Sequence, residues 1–275
     1  MVQLVVALLM VLIPSSAGAA AWTLKQGETR TYVTSTFTFG NHGFDDEGKL
    51  VKVPEYRKFT LNGALEYGVR PWLTGIVRGE LRQEYGYGEV YRTPFASPIF
   101  VEGRSSSTVV YGHRTTSYAN VLGGARARLL SRDFYVVSVE GVASTGGFDS
   151  TGDGAPSDGP FVEARALVGA GRPLLGQQVF AGAEAGYRMR LHADDRDEIV
   201  IDLTLGAQFH PRWMMVGQTF STFEIDGDVH YTKAGASVVY SINDRLRFEI
   251  GALGTVYGRN ALQEIGGKTG FWWVY

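Results

Sequence analysis

The chain of 275 residues contains no cysteine. Disulfides are excluded, and so is a lipid anchor on an amino-terminal cysteine. Proline is scarce, at nine residues, so extended backbone can run far without losing ladder hydrogen bonds. Neither sign of charge is in excess. The net charge of −2 argues against a general nucleic-acid partner. After the first fourteen residues no apolar run approaches the ~20 residues of a transmembrane helix. Mean hydropathy near neutral would by itself suit a soluble protein. A transmembrane barrel averages to the same value, because lipid-facing and lumen-facing residues alternate and cancel.

What is present is concentrated first at the two ends. Val2 to Pro14 is almost wholly apolar, and Ser15-Ser16-Ala17-Gly18-Ala19-Ala20-Ala21 supplies the small residues of a signal-peptidase site. Cleavage after Ala19, Ala20 or Ala21 is expected, with residues 1–21 assigned to a signal peptide. The usual Lys or Arg of the leading region is missing, and a buried first helix is the competing reading. At the other end, Phe271-Trp272-Trp273-Val274-Tyr275 is an aromatic-rich strand ending on an aromatic residue. Chain ends of soluble proteins usually fray and turn polar. The closing strand of a transmembrane barrel needs such rings for its lipid face and interfacial girdle. This end also resembles the signal by which the bacterial barrel-assembly machinery accepts its clients.

Between the ends the chain alternates with period two. In the clearest unit, Phe59, Leu61, Gly63, Leu65 and Tyr67 point one way, and Thr60, Asn62, Ala64 and Glu66 the other. The turn Val69-Arg70-Pro71-Trp72 follows. Leu73, Gly75, Val77, Gly79 and Leu81 then face lipid, while Thr74, Arg78, Glu80, Arg82 and Glu84 face inward. Four further hairpins repeat the unit: 121–129 with 135–143, 162–170 with 179–189, 199–209 with 213–223, and 232–240 with 246–257. Lone strands at 31–39 and 266–275 flank the five hairpins. This predicts twelve strands of nine to fourteen residues, an even number that leaves both termini on one side. Short turns are expected to face the periplasm. Longer connections (41–56, 86–115, 146–160, 191–197, 225–230 and 259–265) are expected outside. A soluble β-sandwich is the alternative, but it offers no use for small outward Gly and Ala residues or for a terminal Tyr.

A charge on the lipid face at mid-membrane costs ~2–4 kcal/mol for Arg or Lys, so the strand charges are assigned to the lumen. They are Glu66, Arg78, Glu80, Arg82, Arg126, Arg128, Glu140, Glu163, Arg165, Glu184, Arg188, Arg190, Asp202, Lys233, Arg247 and Glu249. Two readings stand. In one, the charges neutralise one another and plug a narrow barrel, because buried charges persist only when paired. In the other, Arg78, Arg82, Arg126 and Arg128 line one wall of a conduit, where guanidinium forks bind an anionic or hydroxyl-rich solute.

Other features carry less. Stretch 86–115 is long for a connection and holds Tyr87, Tyr91, Phe95 and Phe100 with Pro94 and Pro98. It is read as a constriction, an aromatic platform for sugars, or a plain surface loop. Asp149-Ser150-Thr151-Gly152-Asp153-Gly154 lacks the ligand spacing of a calcium loop, so no metal or other cofactor is expected. The five histidines (His42, His113, His192, His210 and His230) are placed in loops or turns. None stands two residues before a strand serine as in the outer-membrane phospholipase, so no enzyme activity is expected.

Ala21-Trp22-Thr23-Leu24 with Gly27, and Tyr56-Arg57-Lys58-Phe59 leading to Leu65-Glu66-Tyr67-Gly68-Val69, resemble outer-membrane proteins of the XagA type. The resemblance covers mainly residues 21–85. It implies export or anchoring of a surface polysaccharide and brings no catalytic residues. The sequence thus points to an all-β protein, a twelve-stranded antiparallel transmembrane β-barrel over 22–275 in the outer membrane of a Gram-negative bacterium. The expected partners are outer-membrane lipid, the barrel-assembly machinery, and an anionic or sugar-like solute or polysaccharide. The expected function is a pore or export channel for such a solute. The alternative is a non-conducting surface protein whose loops 41–56 and 86–115 mediate adhesion or aggregation.

Overall fold

A computed structural model describes residues 21–92, 108–149, 159–174, 176–192 and 195–275. The strands are β1 (Thr29–Phe44), β2 (Leu50–Arg70), β3 (Leu73–Arg92), β4 (Thr108–Ser131), β5 (Tyr135–Ser144), β6 (Phe148–Asp149), β7 (Phe161–Leu174), β8 (Gln177–Arg190), β9 (Glu198–His210), β10 (Trp213–Glu224), β11 (His230–Ser241), β12 (Leu246–Arg259) and β13 (Ala261–Val274). All but β6 are long. β6 has two residues and pairs with Tyr118 and Ala119 of β4. Each of the twelve long strands pairs antiparallel with its sequence neighbours. β1 then pairs with β13, from Arg30↔Val274 to Phe44↔Ala261, and closes the ring. The backbone of Tyr275 completes this seam, its N–H donating to Thr29 at 2.9 Å and its C=O accepting from Thr29 at 3.2 Å. Closure leaves no strand edge to be satisfied by water, which is what a hydrocarbon environment demands.

Alternation in sequence becomes alternation in burial. Along β5, Val136, Ser138, Glu140, Val142 and Ser144 are buried, whereas Val139, Gly141 and Ala143 are exposed. The exposed side chains form an apolar outer band that includes Leu65, Val77, Leu81, Val121, Val168, Leu205, Met215, Ile250 and Ile265. At the short-turn end the band is rimmed by the exposed rings of Trp72, Phe134, Trp213 and Tyr275. The Phe271 and Trp273 rings stack there at 5.7 Å between centroids. Such a surface would drive association in water, and it is the surface a bilayer requires.

The short turns fall where expected, at Pro71-Trp72, 132–134, 211–212 and 242–245. In the last of these the Asn243 carboxamide oxygen accepts from the N–H of Arg245 at 2.9 Å and of Leu246 at 2.8 Å. The far end differs from expectation. Stretch 41–56 is mostly strand, with only Asp45–Lys49 turning. There the Asp45 carboxylate accepts from Glu47 N–H at 3.0 Å and Lys49 N–H at 2.8 Å. Stretch 259–265 is strand too, except for Asn260 in the left-handed region at φ 47°. β5 and β7 to β13, at 10 to 14 residues, fall within the predicted nine to fourteen, whereas β1 to β4, at 16, 21, 20 and 24 residues, exceed it. The physical reason is that backbone pairing continues above the apolar band, where no lipid requires an alternating hydrophobic face. β3 and β4 pair as far as Arg92↔Thr108, although β2 leaves β3 after Gly86. A two-stranded ribbon therefore rises from that side, and the 86–115 connection shrinks to 93–107. Phe95, Phe100, Pro94, Pro98 and the 150–154 acidic stretch lie outside the described residues. Histidines 42, 113, 210 and 230 belong to strands, not to loops or turns; only His192 is in a connection.

Candidate lumen and its charge network

Charged side chains on the buried face reach across intervening strands. Arg126 on β4 contacts Glu66 on β2 at 3.2 Å, Arg78 on β3 contacts Glu140 on β5 at 2.8 Å, and Arg165 on β7 contacts Asp202 on β9 at 2.6 Å. The concave side of a closed sheet brings such next-but-one strands together, which places these groups in the interior.

One network runs from β1 to β5. The Arg126 guanidinium is 1% exposed. It donates to Glu140 from Nε at 3.0 Å and Nη2 at 2.7 Å, and its Nη1 donates to the Trp22 carbonyl at 3.3 Å. Arg30 stands 3.6 Å from Glu66. A second network spans β7 to β9. Arg165 pairs with Glu163, with Glu184 at 3.2 Å and with Asp202; Arg188 bridges Glu163 and Glu198, each at 2.7 Å; Arg190 also pairs with Glu198. The i, i+2 spacing of Glu163 and Arg165, and of Arg188 and Arg190, puts both members of each pair on one face of a strand. On the β11–β13 and β2 side, Glu264 is held between Lys58 at 2.6 Å and Lys233 at 2.7 Å. Glu249 takes Lys268 at 2.6 Å and the Trp272 indole N–H at 3.1 Å.

Arg82 lies 3.2 Å from Glu84 and 3.7 Å from Glu80, with its guanidinium 4.3 Å from the centre of the Tyr118 ring. Arg188 stands 4.6 Å from the Phe161 centroid and Lys233 5.4 Å from that of Tyr231. Arg128 and Arg247 are half-buried on the same face. Arg78, Arg82 and Arg126, three of the four arginines assigned to one wall, are thus engaged by carboxylates. Outside the spanning strands, Asp197 accepts from the Tyr187 hydroxyl and from the Arg190 N–H at 2.9 Å. These bonds hold its carboxyl below its ordinary range.

Several interior charges escaped the sequence reading. Arg30, Lys58 and Glu198 each stand one residue before the expected start of a strand, and Glu264 lies in the expected connection 259–265. Lys268 carries a usable signal, since it alternates with outward Ile265, Gly267, Thr269 and Phe271.

The segment before β1 was not anticipated at all. Residues 21–24 lie inside the barrel at the short-turn end. Ser138 donates to the Ala21 carbonyl at 2.5 Å, Thr23 Oγ1 to the Pro71 carbonyl at 3.0 Å, and Leu24 N–H to Thr74 Oγ1 at 2.9 Å. Ala21 and Leu24 are buried, and Ala21 packs with Val136 and Leu167, with Trp22 against them. Inward glycines make the room. A Cβ on Gly169 would stand 2.3 Å from the Trp22 ring, and one on Gly68 would stand 1.9 Å from the Lys25 carbonyl oxygen. A turn at Lys25–Glu28, closed by a 3.0 Å bond and with Gly27 at φ 83°, leads the chain back to β1. A second apolar group, Met214, Val216 and Val239 with Phe180 and Trp272, also lies on the inner face.

No protein-family model matches the sequence, and no curated protein matches it. Solved structures do. An outer membrane channel from Pseudomonas putida F1 superposes with a TM-score of 0.56 at 11% identity, over 94% of this chain and 98% of that one. The NanC porin gives 0.53 at 10% identity, over 88% and 98%. The β domain of the Bordetella autotransporter BrkA gives 0.52 at 11%, over 91% and 100%. At such identities the likeness is one of fold: the chain has the architecture of the outer-membrane β-barrels, among them channels and porins.

Proposed function

We propose that the barrel is an outer-membrane pore for a polar, hydroxyl- or carboxylate-bearing solute, with surface polysaccharide as the polymer that the XagA-type resemblance implies. The observation that carries this reading is the interior itself. More than a dozen ionised side chains face inward on all sides of a closed ring, and this is costly unless they meet water or one another. Arg82, Arg188 and Lys233 present cations beside aromatic faces, a combination suited to sugar rings bearing acidic groups. A solute would exchange part of its hydration for these groups as it passes. The short-turn end and both termini would face the periplasm, cleavage after Ala19 or Ala20 would remove the leader and leave Ala21 in the mature chain, and no reaction or cofactor is assigned.

The test is osmotic swelling of liposomes carrying the purified protein, with neutral sugars and sugar acids of graded size, together with planar-bilayer recordings. Size-dependent uptake and discrete current steps are expected. Impermeability to every solute, with no steps in bilayers, would overturn the pore.

A second reading, a surface protein anchored by a closed barrel, draws on the β3–β4 ribbon, which rises beyond its neighbours. Cell aggregation that persists when the lumen is silent and ceases when residues 87–113 are removed would favour it.

A further inference from the structure

We propose that the segment Ala21–Lys25 is a displaceable gate seated in the short-turn mouth of the barrel; this rests on the pore reading. Unlike every long strand, the segment has no ladder partner. It is held by separate bonds to the Thr74, Arg126 and Ser138 side chains and to the Pro71 carbonyl. Each of these groups can exchange its partner for water, so the segment can leave without opening a seam in the wall.

Its seat is shaped for it. Gly169 receives the Trp22 ring, and Gly68 lets the Leu24–Lys25 backbone pass where any Cβ would collide. A wall evolved only to be filled by its own side chains has no use for glycine at both positions. What the segment covers is partly polar. Thr74 and Ser138 are wholly buried beneath it, and Arg126 is 1% exposed. Departure would present two hydroxyls and a guanidinium to the lumen, continuing the charged interior down to the mouth. The hinge is the Lys25–Glu28 turn, whose Gly27 at φ 83° and bond to Gly68 at 2.8 Å fix where the segment leaves the wall.

The experiment uses the full chain in planar bilayers, with heat-modifiable gel migration confirming a closed barrel. Four variants are compared with the parent: Thr74→Val, which removes the acceptor for Leu24; Thr74→Ser, which keeps it; Trp22→Ala with Leu24→Ala; and deletion of residues 22–25. Thr74→Val and the double alanine variant should raise open probability about tenfold. Thr74→Ser should match the parent, and the deletion should conduct continuously. As the chain has no cysteine, Leu24→Cys can be labelled with a maleimide, and adding Thr74→Val should speed that labelling by a similar factor. Folded variants that conduct and label like their parents would overturn the gate while leaving the pore intact. A folded deletion barrel that never conducts would overturn the pore reading, and the gate with it.

Discussion

Arg126 is the residue on which the β1–β5 interior turns, and its removal tests whether this network is a paired, buried structure. Arg126→Met keeps much of the volume and deletes the charge. Glu140 then loses two donors, at 3.0 and 2.7 Å, and Glu66 loses one at 3.2 Å. Breaking a buried pair costs about 3–5 kcal/mol, because the stranded charge stays desolvated. Here Arg78 remains 2.8 Å from Glu140 and Arg30 remains 3.6 Å from Glu66. The loss is therefore placed at the lower limit, about 3 kcal/mol. Adding Glu66→Gln removes the carboxylate left with only the 3.6 Å contact to the partly exposed Arg30 and should restore about 1–2 kcal/mol, a coupling that a double-mutant cycle isolates. Urea unfolding in lipid vesicles, followed by heat-modifiable migration, reads both effects. With a slope of about 2–3 kcal/mol/M, the single variant should move the midpoint down by roughly 1 M. A single variant as stable as the parent, or a double variant no better than the single, would refute the reasoning.

Other expectations follow from the same geometry. The exposed far-end turn and the exposed turn 242–245 should lie on opposite sides of the membrane. Glu47→Cys should react with an impermeant maleimide on intact cells and Asp244→Cys should not; the reverse labelling would invert the orientation. Deleting Tyr275 removes both of its backbone bonds to Thr29 at the seam, so outer-membrane levels and heat-modifiable migration should fall. Unchanged levels would show that the closing strand tolerates loss of its end. Glu264→Gln leaves Lys58 and Lys233 without the carboxylate they share. The reversal potential in a salt gradient should shift toward anions, and a shift toward cations would place this cluster away from the conducting path.

The sequence alone carried the strand count, the short turns and the separation of the two faces. The reason is that lipid imposes a period-two constraint on every crossing residue, and a wrong register would put Arg78 or Glu140 into hydrocarbon. That constraint ends with the apolar band. Above it, 41–44, 50–56 and 261–265 pair as strands without a regular apolar alternation, which hid Glu264 from the charge count and put the expected start of β2 one residue past Lys58. Which carboxylate meets which guanidinium depends on the curvature of the closed sheet, since Arg126 finds Glu66 and Arg78 finds Glu140 by reaching over a strand that separates them. The seating of Ala21 to Leu24 was invisible for a related reason. Four residues with no period and no ladder give no local signal, and their place follows only when Gly68, Thr74, Ser138 and Gly169, distant in sequence, are brought around one mouth. Local alternation therefore determined the barrel and its faces, whereas closure decided the pairing of its charges and what stands in its lumen.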